Sequence, residues 1–288
     1  MHQKHAVKVL FGSEMSFVLP NIAPGSVWLV GAGPGDPGLL TLLAAQALSE
    51  ADIVLYDALV NTDVLAAMGM HGRAIFVGRR KGRVAATVAQ TVDLMLRHAR
   101  ADRRVVRLKG GDPFIFGRGG EEIAALAEAG IPFRIVPGIT AGIGGLAYAG
   151  IVATRRGVNE AITFVTGHGA DGGLPRDVDW VRLAQDGQAL VVYMGLGLLD
   201  EIAGILLAHG RDHRTSVAIV SSASNQNHET LLTTLGECVL AARRERMEAP
   251  ALVAIGPIAD PVNIHQWFDP ETVGRPAVAA VPAEAAGG

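Results

Sequence analysis

Two glycine-rich stretches and one strand-terminal aspartate hold the residues best suited to chemistry. Gly31-Ala32-Gly33-Pro34-Gly35-Asp36-Pro37-Gly38 follows a short apolar run and precedes a helical segment. Such a turn suggests phosphate or dinucleotide binding, because bare backbone can approach an anion at a helix N-terminus. Its wording argues otherwise: the sixth position of a G-x-G-x-x-G element is Asp36, and Pro34 stiffens the turn where a pyrophosphate needs free N–H groups. The second stretch is Arg107-Leu108-Lys109-Gly110-Gly111-Asp112-Pro113-Phe114-Ile115-Phe116-Gly117-Arg118-Gly119-Gly120-Glu121-Glu122. Gly110 and Gly111 let backbone come close to a ligand, Asp112 can accept hydrogen bonds from ribose hydroxyls or an amino group, and Phe114, Ile115 and Phe116 can wall an apolar pocket. Asp57 ends another apolar run. A carboxylate there can take a proton or offset developing positive charge, although a turn or helix-cap aspartate has the same sequence appearance.

A third feature is a concentrated cationic surface. Between His71 and Arg118 stand twelve lysines and arginines against three aspartates, although the whole chain has a formal net charge of -3. Arginine suits bidentate recognition of carboxylates, and Gly78-Arg79-Arg80-Lys81-Gly82-Arg83 reads as a loop able to clamp acidic arms. Arg97, Arg100, Arg103 and Arg104 read as a solvated face. RNA binding would need interleaved aromatics for base stacking, which this stretch lacks. His209 and His213 have i, i+4 spacing, but Gly210, Asp212 and Arg214 make them a polar loop rather than a metal site. The single cysteine, Cys238, excludes an intrachain disulfide and any multi-cysteine metal site, which fits a reducing cytoplasm.

These residues need a scaffold, and the hydrophobic pattern describes one. Apolar or β-branched runs bounded by Gly, Pro or Asp alternate with Ala/Leu-rich segments, the pattern of an α/β protein. Strands are expected at 27–30, 53–56, 74–77, 105–108 and 133–136, then at 162–166, 190–194, 217–220, 231–234 and 252–255. Helices are expected at 39–49, 84–99, 121–129 and 198–208, with an Arg/Glu-rich helix between the last two strands that implies a mixed second sheet. Residues 138–150 contain five glycines and read as a flexible boundary between two lobes. The organisation expected is a flexible arm at 1–25, an N-terminal α/β lobe at 26–138, a C-terminal α/β lobe at 139–262, and an extension at 263–288 whose end is disordered. No uninterrupted apolar run of about 18 residues occurs, so no transmembrane helix is expected. Trp28, Trp180 and Trp267 read as core or interface residues.

The wording of these segments resembles the tetrapyrrole methylase family over residues 27–258. The resemblance rests on Val30-Gly31-Ala32-Gly33-Pro34-Gly35-Asp36-Pro37-Gly38-Leu39-Leu40-Thr41, Tyr56-Asp57, the whole 107–122 segment, Val136-Pro137-Gly138-Ile139-Thr140-Ala141, Phe164-Val165-Thr166-Gly167-His168 and Tyr193-Met194-Gly195. It implies a two-lobed α/β dimer, unlike the usual Rossmann methyltransferase, that binds S-adenosyl-L-methionine in the cleft between lobes and uses no metal. It implies cofactor contacts from Pro34, Gly110, Gly111, Asp112, Ile115, Thr140, Ala141 and Met194, with Ala223 carried over on less similar wording. Asp57 matches the proton-accepting aspartate. The activity implied is methylation of uroporphyrinogen III at C2 and C7 to give precorrin-2 and S-adenosyl-L-homocysteine, in cobalamin or siroheme biosynthesis.

Two departures fall on the substrate side. Arg79 stands where the family has Lys in a Val-Gly-Lys-Arg run, and arginine, with a pKa above about 12, is a poor proton donor. Arg155 stands in Thr154-Arg155-Arg156 where the family often has Thr-His-Arg. Arg79, Arg80, Lys81, Arg118 and Arg155 are therefore the candidates for binding substrate carboxylates. Methylation of another cobalamin-pathway macrocycle and non-catalytic binding of S-adenosylmethionine or tetrapyrrole are the alternatives. Neither nucleic acid nor membrane is an expected partner.

Overall fold

A computed structural model of the chain describes residues 19–70, 73–78, 87–169, 171–185 and 187–272. The first part of the expected arm, the Arg79-Arg80-Lys81 loop with Arg83, and the end of the C-terminal extension lie outside the described residues.

Both expected sheets form. In the first, β1 (Val27–Gly31), β2 (Ile53–Tyr56), β3 (Ala74–Phe76), β4 (Val105–Lys109) and β5 (Phe133–Val136) are ordered β3-β2-β4-β1-β5, and every pairing is parallel. The crossovers are α1 (Leu42–Glu50), α2 (Thr62–Ala67), α3 (Val88–Arg100) and α4 (Gly119–Glu128). The burial pattern assigns faces to them. Val30, Val54, Val106 and Leu108 pack with α1 and α2 residues such as Leu48 and Val64, whereas Val27, Leu29, Leu55 and Val105 pack with Met95 of α3 and Leu126 of α4. Chain leaving β1 therefore turns to one face and chain leaving the adjacent β4 to the other. That divergence opens a crevice at the C-terminal edge of the sheet, the place where open α/β sheets take ligands.

The second sheet comprises β6 (Ile162–Thr166), β7 (Ala189–Tyr193), β8 (Ser216–Ser221), β9 (Glu229–Thr234) and β10 (Ala251–Ile255), ordered β6-β7-β10-β8-β9. Only β6–β7 is parallel, so the sheet is mixed as expected. One face is covered by α6 (Trp180–Gln185), α7 (Leu199–Ala208) and α8 (Cys238–Arg244). The other packs on α5 (Ala141–Tyr148), whose Leu146 is fully buried with Ala189, Val191 and Val220.

Three expectations need correction. Residues 138–150 are not a flexible link, because 141–148 forms α5. The glycines serve close packing: a Cβ on Gly144 would stand 2.9 Å from Pro34 Cγ, and one on Gly145 would stand 2.8 Å from Ala223 Cβ. Next, Arg107 and Lys109 do not belong to a cationic surface. Arg107 and Lys109 share a face of β4 with Val105, so their side chains project towards α4 and are buried. Finally, Trp267 is not a core residue. Its ring lies on Tyr148, its Nε1 donates to Ala147 O at 2.8 Å, and 64% of it is exposed.

Arg104, on the expected solvated face, makes a 2.6 Å ion pair with Asp52 across β2 and β4. The guanidinium lowers the Asp52 pKa from 3.8 to about 2. With the folded-state value depressed, the stabilisation is fully present above pH 3.8 and disappears as pH falls towards 2. Both side chains are more than a third exposed, so solvent screening limits the contribution. Asp52→Asn is expected to lower stability by about 1 kcal/mol at pH 7 and to leave it unchanged near pH 2. Urea unfolding at the two pH values measures the difference.

Candidate functional site

The loops leaving β1, β4 and β5 meet backbone to backbone at the crevice. Ala32 N donates to Lys109 O at 2.8 Å; Gly111 N donates to Gly33 O at 2.7 Å, and Gly33 N donates to Gly111 O at 3.2 Å. A Cβ on Gly31 would stand 2.6 Å from both Gly111 O and Gly138 Cα, so side chains are excluded where the three loops converge. Gly33 and Gly111 have φ of 74° and 66°, in the left-handed region that glycine occupies without strain. Asp112 ties the loops together: Oδ1 accepts from Phe114 N at 2.8 Å and Oδ2 from Gly138 N at 3.1 Å. Each oxygen retains accepting capacity for a ligand donor. Phe114, Ile115 and Phe116 follow with exposed side chains, an apolar wall beside a polar cradle.

The second sheet reaches this cradle through Tyr193, at the end of β7. Its hydroxyl lies 2.8 Å from Thr140 Oγ1 and accepts from Gly142 N at 2.7 Å. Its ring packs on Phe116 across the crevice, with centroids 5.0 Å apart, and on Phe164 of β6. Burial raises its pKa, consistent with a neutral phenol at physiological pH. The next residue, Met194, is half exposed with φ of 55°. Gly111 is close to Thr140 and Ala141, since a Cβ there would lie 3.8 and 3.7 Å from their backbones. The geometry thus gathers Pro34, Gly111, Asp112, Thr140, Ala141 and Met194, whereas Ala223 is buried behind α5 against Gly145. Tyr193→Phe is expected to cost about 1 kcal/mol, the net value of a buried hydrogen bond, with a lower midpoint in urea unfolding.

A second tie joins the sheets behind the crevice. Asp36 N donates to Ser224 Oγ at 3.1 Å, and Tyr148 Oη donates to Asp36 Oδ2 at 2.8 Å. The Tyr148 pKa is pushed up to about 12, first by burial and then by the Asp36 carboxylate. Asp36, which breaks the dinucleotide fingerprint, therefore serves as a link between the two sheets.

Asp57 stands beside the cradle: a Cβ on Gly110 would press on Leu59, two residues beyond it. Leu59 N donates to Asp57 Oδ1 at 3.1 Å, and Arg107 Nη2 donates to Oδ2 at 3.2 Å. Arg107 also donates through Nε to Glu122 Oε1 at 2.9 Å, and Lys109 Nζ lies 3.0 Å from Glu122 Oε2. That second contact is an ion pair without good hydrogen-bond alignment. The ammonium is destabilised mainly by burial, then by Arg107, so the Lys109 pKa is lowered. The pairing of Arg107 and Lys109 with Glu122 and the bonds of Tyr193 are not legible in the sequence alone. The available signal was two cations spaced by two in an otherwise apolar strand, which places both on one face.

The expected substrate arginines are not gathered in the same way. Arg118 makes a fork-on pair with Glu121, both contacts 2.7 Å, and is exposed. Arg155 donates to Asn263 of the C-terminal extension. Arg79, Arg80 and Lys81 lie outside the described residues. Among the described residues no group of three His, Cys, Asp or Glu side chains is arranged to hold a metal ion, and no helix is long and apolar enough to cross a membrane.

A two-sheet α/β protein with a glycine cradle at a strand-order switch point, closed from the second sheet by a tyrosine, is not a classical Rossmann methyltransferase. Residues 26–239 match the family model of tetrapyrrole (corrin/porphyrin) methylases, and the chain belongs to that family. It is similar to the uroporphyrinogen-III C-methyltransferase of Sinorhizobium sp., with 48% identity over 83% of this chain and 86% of that one. It is also similar to siroheme synthase 1 of Yersinia enterocolitica, 46% identical over 88% of this chain, and spans 53% of that longer protein. The crystal structure of uroporphyrin-III C-methyl transferase from Thermus thermophilus complexed with S-adenyl homocysteine superposes with a TM-score of 0.68. The two are 40% identical, covering 82% of this chain and 93% of that one.

Proposed function

We propose that this chain is an S-adenosyl-L-methionine-dependent C-methyltransferase that converts uroporphyrinogen III to precorrin-2 by methylation at C2 and C7. The observation that carries the reading is the convergence of the Gly31, Gly111 and Gly138 backbones in a cradle bounded by Phe114, Ile115 and Phe116, with the Asp57 carboxylate alongside. Similarity to the Sinorhizobium and Thermus enzymes supports the substrate and cofactor.

Pro34, Gly110, Gly111, Asp112, Ile115, Thr140, Ala141 and Met194 hold the cofactor in this reading, with a lesser part for Ala223. The residues present suit it, because the cradle combines backbone groups and a carboxylate with an apolar wall. When bound, the cofactor supplies an electrophilic methyl group on a sulfonium. The chain's contribution is to align that group with a nucleophilic pyrrole carbon and to exclude water. Each transfer forms a carbon–carbon bond, breaks a sulfur–carbon bond and leaves the macrocycle one positive charge to lose as a proton. Asp57 offsets that charge and accepts the proton. Arg79, Arg80, Lys81, Arg118 and Arg155 bind the carboxylate arms of the substrate. The chain divides into lobes near Gly138, works as a homodimer and is cytoplasmic. A second reading, methylation of a different macrocycle of the same pathway, draws on the Arg79 and Arg155 departures.

The test is anaerobic incubation of the protein with S-adenosylmethionine, with and without enzymatically generated uroporphyrinogen III. S-adenosylhomocysteine accumulating only with the tetrapyrrole supports the reading. No accumulation despite measured cofactor binding contradicts it.

A further inference from the structure

Arg107, Glu122 and Lys109 form a charged cluster with almost no access to solvent, in a strand and helix whose other inward residues are apolar. Burying ions in this way is unfavourable unless every charge is matched, and it is a poor route to stability compared with apolar packing of the same volume. Here the charges do match: two cations, Arg107 and Lys109, face two carboxylates, Glu122 and Asp57. Three of the four groups are enclosed, whereas Asp57 retains 23% side-chain exposure and borders the cradle. The cluster therefore has one outlet, and the outlet is the aspartate.

The hydrogen bonds give the cluster a direction. Arg107 Nη1 donates to Leu108 O at 2.8 Å and to Leu55 O at 3.3 Å, fixing the guanidinium between β4 and β2. Nε is held by Glu122 at 2.9 Å, which leaves Nη2 aimed at Asp57 Oδ2. Because the guanidinium is planar and rigid, fixing Nε and Nη1 determines where Nη2 points. Lys109 takes the other oxygen of Glu122, so this carboxylate is held between two cations. Leu59 N fixes the second oxygen of Asp57.

We infer that Arg107 is a positioning residue for the reaction, oriented by Glu122 and Lys109, which sets the carboxylate of Asp57 against the macrocycle. The inference rests on the role proposed above for Asp57. A lysine at 107 could neutralise Glu122 but could not reach two carboxylates with fixed geometry, so the two functions of the guanidinium are separable.

Arg107→Lys and the isosteric Glu122→Gln test this, each alone and combined with Asp57→Asn. Steady-state methylation of uroporphyrinogen III gives kcat and KM, calorimetry gives S-adenosylhomocysteine affinity, and thermal melts report folding. Misplacement of a reacting group costs up to about 100-fold in rate. Each single variant is expected to lose about tenfold or more in kcat, with S-adenosylhomocysteine affinity within about twofold of the parent chain. Neither should slow the Asp57→Asn protein further. A purely structural role would lower the melting temperature yet leave kcat of the folded protein intact, or would act additively with Asp57→Asn; either result overturns the inference. If Asp57→Asn itself retains full turnover, the Asp57 role fails and the inference with it. Loss of turnover in Asp57→Asn with unchanged kcat in both positioning variants overturns the inference alone. If one variant does not fold, the other carries the comparison.

Discussion

Asp57→Asn is expected to lower turnover by about 10²- to 10⁴-fold, the range associated with loss of a positioned acid–base group. The substitution preserves shape and one accepting oxygen, so Leu59 N keeps a partner and the β2–α2 loop stays in register. It removes the negative charge facing Arg107, leaving that cation with Glu122, which it shares with Lys109. Some loss of stability is therefore expected as well, and turnover must be compared on folded protein. Cofactor affinity should be retained, because the cradle is built from the β1, β4 and β5 loops rather than from Asp57. Single-turnover measurements with saturating S-adenosylmethionine isolate the effect: a slow chemical step with normal binding fits the role, and an unchanged rate excludes it.

Gly31→Ala is expected to have the largest effect on the fold of the site. The added methyl would meet the Gly111 carbonyl and Gly138 Cα at 2.6 Å, and both are backbone atoms unable to rotate away. Relief requires separating β1 from the β4 and β5 loops, breaking the paired Gly33–Gly111 hydrogen bonds and displacing Asp112 from Gly138 N. The cost should reach about 3 kcal/mol or more, above ordinary overpacking, because the obstruction is main chain. S-adenosylhomocysteine binding should weaken by at least about tenfold even where the protein folds. An alanine variant with parental affinity and stability would show that close approach of the three loops does not matter. Gly130→Ala is the control for handling: its φ of 66° imposes strain, but no atom lies within 4 Å of the added carbon, so cofactor binding should be unaffected.

The strands were legible because each is a short apolar run with a breaker at its end, and burial on both faces of a central parallel strand demands that pattern. α5 was not, because Gly142, Gly144 and Gly145 have low helix propensity and their reason for being there is tertiary. They admit the Tyr193 hydroxyl, Pro34 and Ala223 against the helix, contacts that no local window contains. α2 and α6, each six residues long, were too short for a periodic signal. The cradle was legible from its wording, since runs of glycine beside an aspartate are uncommon on plain surface. The charged cluster was not legible. Counting Arg107 and Lys109 along the chain placed them on a cationic surface, whereas their shared strand face and the first turn of α4 bring them inward to Glu122. Tyr193 was visible only as part of a resemblance, because its bonds to Thr140 and Gly142 span about fifty residues of chain.

The central claim is tested most directly by counting the methyl groups added to uroporphyrinogen III. The protein is incubated anaerobically with methyl-labelled S-adenosylmethionine, and the extracted tetrapyrrole is analysed by mass spectrometry with nuclear magnetic resonance of the labelled carbons. Two labelled methyls, at C2 and C7, are the predicted result. No labelled tetrapyrrole from folded protein that binds the cofactor would contradict the account.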